Sequence, residues 1–425
     1  MVKNSNSQKN TREIKPEVET FAKIKVIGVG GSGGSAINRM VDNKIKGVEF
    51  IAINTDAQAL SSSLADQKIQ IGINTTKGLG AGMDPEAGAR SAEENLEEIE
   101  KVLNGSDMVF ITCGLGGGTG TGAAPIVADI ARNNNALTVA IVTKPFNFEG
   151  AQRRLIAERG LNELENKVDT IITIPNDRIL GIIDRKTSLV DSFKTVDEIL
   201  HQGIQGISEI ITVPGLVNVD FADVKAIMSD AGSALMGIGR ASGDDRSKRA
   251  AKEAIDSPLL DVSISGAKGI LFTVTGGNDL TMYEVNEIAE IITASADGNA
   301  KIIFGTVIDE TLKDEIKVMV IATGFENFNI HSDIKQKPTN IQASYTPNKY
   351  INDVKNKLSK DDNYIEDDNS YDVDDDGFDV DDDFNESNFQ KNKFSDRLSD
   401  MNLDDDMPKQ ESELDIPAFL RRKMK

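Results

Sequence analysis

The sequence predicts an α/β fold, a parallel sheet flanked by helices and joined through one long helix to a smaller α/β unit, and three features carry that expectation. Short β-branched runs alternate with longer helical segments from Phe21 to about Ile330, the pattern of successive strand and helix units. The runs are nearly continuous in Ile and Val, which suits strands covered on both faces. Between Leu189 and Thr212, Val190, Phe193, Val196, Ile199, Ile204, Ile207 and Ile211 recur at helical spacing, an apolar surface wider than a narrow stripe.

Taken in order, six strands are expected in the first half: Ile24 to Val29, Val48 to Asn54, Lys68 to Ile71, Met108 to Cys113, Leu137 to Val142 and Thr170 to Ile174. Helices are expected at Ala36 to Val41, at Pro85 to Val102 with Pro in the first turn, and at Gly120 to Asn133. The long helix stops before Pro214 and Gly215, and its simplest place is between two sheets. The second half reads as helix Phe221 to Ser229, strand Ala234 to Ile238, helix Arg246 to Ile255, strand Gly269 to Thr275, helix Met282 to Ala294, and strands Ile302 to Ile308 and Lys317 to Ala322. From about His331 hydrophobicity collapses and no regular structure is expected. The resulting organisation is a flexible extension (1–20), a nucleotide-binding domain (21–186), a central helix (187–216), a second α/β domain (217–330), a disordered acidic linker (331–413) and a C-terminal peptide (414–425).

Composition narrows the function classes. A chain of 425 residues with 39% hydrophobic content can bury a sizeable core. No apolar run approaches the ~18 residues needed to span a bilayer and the first twenty residues are polar, so cytoplasmic residence is expected. The net charge of −22 argues against a nucleic-acid partner, which would need a basic face. Much of that charge sits in the linker, where Asp361 to Glu386 holds fourteen acidic residues and no basic ones, a self-repelling spacer. Cys113, the single cysteine, reads as a strand-end core residue. His201 and His331 suit helix and linker positions better than metal ligation.

The chemistry lies in two glycine-rich turns. The first strand runs into Gly28-Val29-Gly30-Gly31-Ser32-Gly33-Gly34-Ser35 before a helix, so backbone amides and a helix N-terminus can meet phosphate oxygens. Gly28, Gly30 and Gly33 also satisfy the dinucleotide fingerprint, and that motif alone would favour a dinucleotide site. A Walker loop is excluded, because no Gly-Lys dipeptide occurs. The strand Met108 to Cys113 then leads into a second loop, Gly114 to Gly122, and another helix. Two such turns can converge on one polyphosphate, which a dinucleotide site does not require.

The run GGGTGTG at Gly116 to Gly122 resembles the signature loop of the tubulin/FtsZ family, and further stretches match in the family's order: Asn54 to Leu60, Gly78 to Glu86, Pro145 to Arg153, Pro175-Asn176-Asp177 and Asn218 to Asp223. The similarity runs from about Phe21 to Phe325, plus the C-terminal peptide. It implies a tubulin/FtsZ-like fold that binds GTP and GDP. In that reading Gly31, Ser32, Gly33, Gly34 and Ser35, together with Gly118, Thr119 and Gly120, hold the phosphates, while Gly80, Ala81 and Gly82 meet the terminal one. Asn54 and Asp56 stand near Mg2+, acting through water with no protein metal site; an Asx turn is the alternative for this pair. Glu149 and Arg153 are assigned to the ribose and phosphate region, against the alternative of a surface ion pair. Asn176 and Asp197 are assigned to guanine, with Phe193 stacking on the base. Family members often carry Gly and Asn where this chain has Ser32 and Ser35, whose hydroxyls can donate to phosphate.

The resemblance also implies a polymerising GTPase of cell division, at the division site on the inner face of the membrane. Asn218, Asp220 and Asp223 would complete the site of the neighbouring subunit in a head-to-tail homopolymer; Asp220 and Asp223 share a face, and helix capping is the alternative role for Asp220. Leu414 to Lys425 would dock to membrane-tethering and regulatory division proteins, so contact with the membrane is indirect. Two rivals remain at this level: an NAD-dependent oxidoreductase, which leaves the second glycine loop without a role, and a non-hydrolysing filament, which leaves the aspartate pair without one.

Overall fold

The computed structural model describes residues 22–184, 186–213, 215, 217, 219–260 and 263–325, all within one compact unit. The N-terminal extension, the acidic linker, the C-terminal peptide, Asn218 and His331 lie outside the described residues.

The first half runs β1 (Ile24–Val29), α1 (Gly30–Asp42), β2 (Val48–Asn54), α2 (Ala57–Ser61), β3 (Gln67–Gln70), α3 (Ile73–Thr76), α4 (Pro85–Glu94), α5 (Leu96–Leu103), β4 (Met108–Gly114), α6 (Thr119–Asn133), β5 (Leu137–Lys144), α7 (Ala151–Glu165), β6 (Thr170–Pro175) and α8 (Asn176–Ile179). Then follow α9 (Leu189–Thr212), α10 (Phe221–Met228), β7 (Gly232–Ser242), α11 (Arg246–Ile255), β8 (Gly269–Gly276), α12 (Met282–Ala294), β9 (Lys301–Ile308) and β10 (Glu315–Thr323). The fold is α/β, as expected, with a parallel first half and a second, mixed α/β half.

Three local expectations change. The first helix starts at Gly30 rather than Ala36, because the glycine run itself coils into the opening turns of α1. The expected helix Pro85 to Val102 is two helices, broken at Asn95, whose Oδ1 accepts the Gly72 amide at 3.0 Å. The two halves do not form separate sheets: the strand order is β3-β2-β1-β4-β5-β6-β7-β10-β8-β9. β7 makes the join, pairing parallel with β6 through Gly232, Ser233 and Ala234 and antiparallel with β10 from Leu235 onward.

Strand alternation builds two cores. Val26 and Ile27 are both fully buried, Val26 with α1 and α9 and Ile27 with the α5 and α6 side chains on the other face. A third core joins α11 and α12 to β8 and β10. The α9 residues Val196, Ile199, Leu200, Ile204, Ile207 and Ile210 share one cluster with Met236, Leu271 and Met319 of the second half. Each such buried aliphatic side chain is worth about 1.5–3 kcal/mol, so packing holds α9 rather than propensity, which its glycines lower. Those glycines admit the sheet: a Cβ on Gly203 would lie 2.9 Å from the Met236 sulfur, and one on Gly206 would lie 2.4 Å from the Met319 methyl.

Candidate functional site

In the order β3-β2-β1-β4-β5-β6 the connections reverse direction between β1 and β4, which opens a crevice at the carboxyl ends of those two strands. Both glycine turns sit there, one after β1 and one after β4. They touch: a Cβ on Gly30 would lie 2.9 Å from the Gly120 nitrogen, and one on Gly114 would lie 2.7 Å from the Ser32 hydroxyl. Gly30 turns the chain with a φ of +74°. Gly33 has a packing reason to be glycine, since its Cβ would meet the Thr112 carbonyl at 2.5 Å. Gly31, Gly34 and Gly117, by contrast, face open space.

The third loop closes on the second. A Cβ on Gly118 would lie 2.8 Å from the Ala81 methyl and 2.9 Å from the Asp84 nitrogen, while Gly80 and Gly82 face open space. Behind them α4 packs backbone to backbone on α6: a Cβ on Gly122 would strike the Pro85 carbonyl, and one on Gly88 would lie 2.4 Å from the Gly118 carbonyl. The Thr121 hydroxyl accepts the Gly116 amide at 2.9 Å and braces the signature loop from within. Thr119 and Gly120 are buried at the start of α6.

The polar assignments divide. Asp56 caps α2, its Oδ1 accepting from the amides of Gln58 (2.9 Å) and Ala59 (3.0 Å), and the buried Asn54 accepts from the Asp56 amide at 3.2 Å. The Asx-turn alternative is therefore realised, with Asp56 Oδ2 outside those bonds. The Ser35 hydroxyl donates to the Gly31 carbonyl at 3.1 Å, so it does not stand ready for phosphate as its position in the loop suggests. Glu149, on a short 3-10 turn (Asn147–Glu149), accepts from the Phe146 amide at 2.9 Å and pairs with Arg153 at 3.0 Å. That ion pair is sunk rather than superficial, the Glu149 side chain being 7% exposed.

At the other wall Asn176 is buried, and its Oδ1 finds no hydrogen-bond partner among the described residues. An orphaned buried acceptor suits a ligand that brings donors. Asp197 keeps a little exposure, yet its carboxyl lies deep: burial pushes it up to about 7, and the Arg39 charge opposes that rise. Phe193, one turn before it, packs edge-on to Phe146 at 5.6 Å, and Phe146 stacks on the exposed Phe148 at 5.0 Å. Phe146 and Arg39 escaped the sequence reading, because each supports a site residue from a different element. Cys113 is fully buried, which pushes its thiol up to about 12 and leaves it inert.

Asp220 and Asp223 do not join this constellation. The pocket lies at the carboxyl edge of the parallel strands and the first turns of α9, whereas the far end of α9 lies at the opposite edge, Thr212 packing on Gly47 just before β2. At that edge α10 is tied down by the Thr170 hydroxyl, which donates to the Met228 carbonyl. The 24 residues of α9 separate the two ends by about 36 Å. Asp220 flanks α10 without a side-chain cap bond, and both carboxylates are exposed.

Residues 23–184 match the Tubulin/FtsZ family, GTPase domain, and residues 232–326 match the FtsZ family, C-terminal domain. Among solved structures, an FtsZ dimer from M. jannaschii is 48% identical with a TM-score of 0.70, over 72% of this chain and 89% of that one. CetZ1 from Haloferax volcanii, a GDP-bound monomer, is 21% identical with a TM-score of 0.62, over 72% and 95%; CetZ2 from the same organism, a GTPγS-bound protofilament, is 21% identical with a TM-score of 0.61, over 72% and 94%. These two carry the fold alone. No helix among the described residues is long and apolar enough to cross a membrane. With both family domains matched in order and 48% identity to a solved FtsZ, this chain belongs to the FtsZ family of tubulin-like GTPases.

Proposed function

We propose that this GTPase polymerises head to tail and hydrolyses GTP only where a second copy completes the pocket, forming the cytoskeletal ring of cell division. One observation carries the reading: the exposed carboxylates of Asp220 and Asp223 lie at the end of α9 opposite the pocket, too far to serve their own subunit. The FtsZ dimer from M. jannaschii makes self-association the natural way to bring the two edges together.

In this mechanism the amides of Gly31 to Ser35 and Gly118 to Gly120, with the Thr119 hydroxyl, hold the phosphates, and Gly80, Ala81 and Gly82 meet the terminal one. Asn176 Oδ1 and the Asp197 carboxylate accept the guanine donors, Phe193 stacks on the base, and the Glu149–Arg153 pair borders the ribose and phosphates. Asn54 and the remaining oxygen of Asp56 would hold Mg2+ through water, and the ion would supply charge neutralisation on the phosphates. Asp220 and Asp223 of the next subunit, with Asn218, position water for in-line attack on the terminal phosphorus; the bond to the bridging oxygen breaks, and GDP and phosphate result. Leu414 to Lys425 docks to membrane-tethering and regulatory division proteins, so the polymer works in the cytoplasm at the division site on the membrane's inner face.

The test is complementation. Asp223→Ala keeps an intact pocket, and a subunit with Gly118 and Thr119 replaced keeps an intact aspartate loop. Each alone is expected to be nearly inactive. Their mixture, once sedimentation has established copolymerisation, regains part of the turnover. Copolymers with no regained turnover contradict the shared site.

A further inference from the structure

We propose that Thr55 is a positioning residue for the nucleotide, a buried hydroxyl whose proton sets the direction in which Thr119 donates. This rests on the reading that Thr119 meets the phosphates. Thr55 is fully buried just past β2, and its Oγ1 lies 2.6 Å from the Oγ1 of Thr119, 64 residues further along the chain. It is the one hydroxyl pair that ties the end of β2 to the start of the signature helix among the described residues.

Each hydroxyl carries a single proton. If Thr119 donated to Thr55, it would turn only lone pairs toward an arriving phosphate, which repels them. If Thr55 donates to Thr119, the Thr119 proton is left for a phosphate oxygen. The nucleotide-free protein permits either polarity, and an anion selects the second. Thr55 is well held for this task. Its neighbours Asn54 and Asp56 are locked in the turn that caps α2, the Asn54 side chain on the Asp56 amide. Two residues on, the Ala57 amide donates to the Gly78 carbonyl at 3.1 Å. Residue 55 therefore sits where β2, the third loop and α6 meet. A chain of two hydroxyls ending on a charged acceptor is also stronger than its last bond alone.

The experiment measures GDP affinity by equilibrium competition for wild type, Thr55→Val, Thr55→Ser, Thr119→Val and the double variant Thr55→Val with Thr119→Val. Thr55→Val leaves the Thr119 proton free to reach phosphate but removes the second bond that orients and strengthens its donation, and is expected to weaken GDP binding about threefold, while Thr55→Ser, which keeps the hydroxyl, stays near wild type. The double variant is expected to bind no worse than Thr119→Val alone, since the effect of residue 55 passes through residue 119. Thr55→Ala, which removes the hydroxyl without adding a methyl group, replaces Thr55→Val if the latter does not fold. Affinity in Thr55→Val within twofold of wild type, or a Thr55→Val loss that adds in full to that of Thr119→Val, overturns the proposal and leaves the pocket assignment standing. Wild-type affinity in Thr119→Val overturns the assignment of the Thr119 hydroxyl to the phosphates, and the proposal with it.

Discussion

Guanine recognition should depend on pH through Asp197. In the nucleotide-free protein burial raises its carboxyl to about 7, against the pull of Arg39. Only the ionised form accepts both guanine donors, and those donors lower the pKa of the bound form. A carboxyl of pKa about 7 is roughly nine-tenths ionised at pH 8 and roughly one-tenth at pH 6, so GDP affinity should fall about ninefold between them. Calorimetry in buffers of different ionisation enthalpy should find about half a proton released per GDP at pH 7. The phosphates of GDP titrate as well, so Asp197→Asn serves as the reference; it is expected to bind weakly and without this slope. For the nucleotide-free fold the sign is the opposite. A carboxyl raised from near 4 to about 7 binds its proton more tightly folded than unfolded, so its contribution favours the fold at acid pH and is lost as pH rises toward 7. Equal pH slopes for wild type and Asp197→Asn would show that Asp197 does not carry the pH dependence of guanine binding.

Four further outcomes are expected. Arg246 is nearly buried and joins Glu284 at 2.6 Å, Asp279 at 2.5 Å and Asp314 at 3.4 Å, so Arg246→Met should cost about 2–4 kcal/mol in chemical denaturation. The guanidinium holds Glu284 down to about 2, so this stabilisation is full above the usual carboxylate range and disappears as pH falls toward 2, a dependence the variant should lack. Gly88→Ala, whose methyl would meet the Gly118 carbonyl, should lower stability by about 1–3 kcal/mol. Gly34→Ala, facing open space, should leave the melting temperature unchanged while weakening GDP binding severalfold. Deleting residues 414–425 should leave GTP turnover of the purified protein near wild type and abolish recruitment to membrane-tethering proteins in a vesicle-binding assay.

Much of this architecture is legible in the chain. β1, β2, α9, α11 and α12 fall on the expected residues, because buried parallel strands concentrate Ile and Val while a two-sided helix repeats them at three and four. The glycine turns announce the crevice, since few other residues let two backbones come so close. Less is visible where a tertiary contact decides. Nothing local predicts that Gly30 to Ser35 coils as helix, or that Asn95 breaks a helix to take the Gly72 amide. The join through β7 depends on its first three residues finding β6. Asp56 looks the same in sequence whether it caps a helix or serves a cation, and the structure uses one of its oxygens for the cap. Thr55 lies inside a stretch the family resemblance already covers, yet its role appears only with its partner 64 residues away.

The central claim is that the site is divided between two subunits, and the most direct measurement is GTP turnover per subunit against protein concentration, with the polymer followed by light scattering in the same samples. Turnover is expected to be negligible below a threshold concentration and to rise with the onset of scattering. Full turnover per subunit in dilute samples shown by sedimentation to be monomeric would contradict that claim, and would leave Asp220 and Asp223 as surface carboxylates at the start of α10.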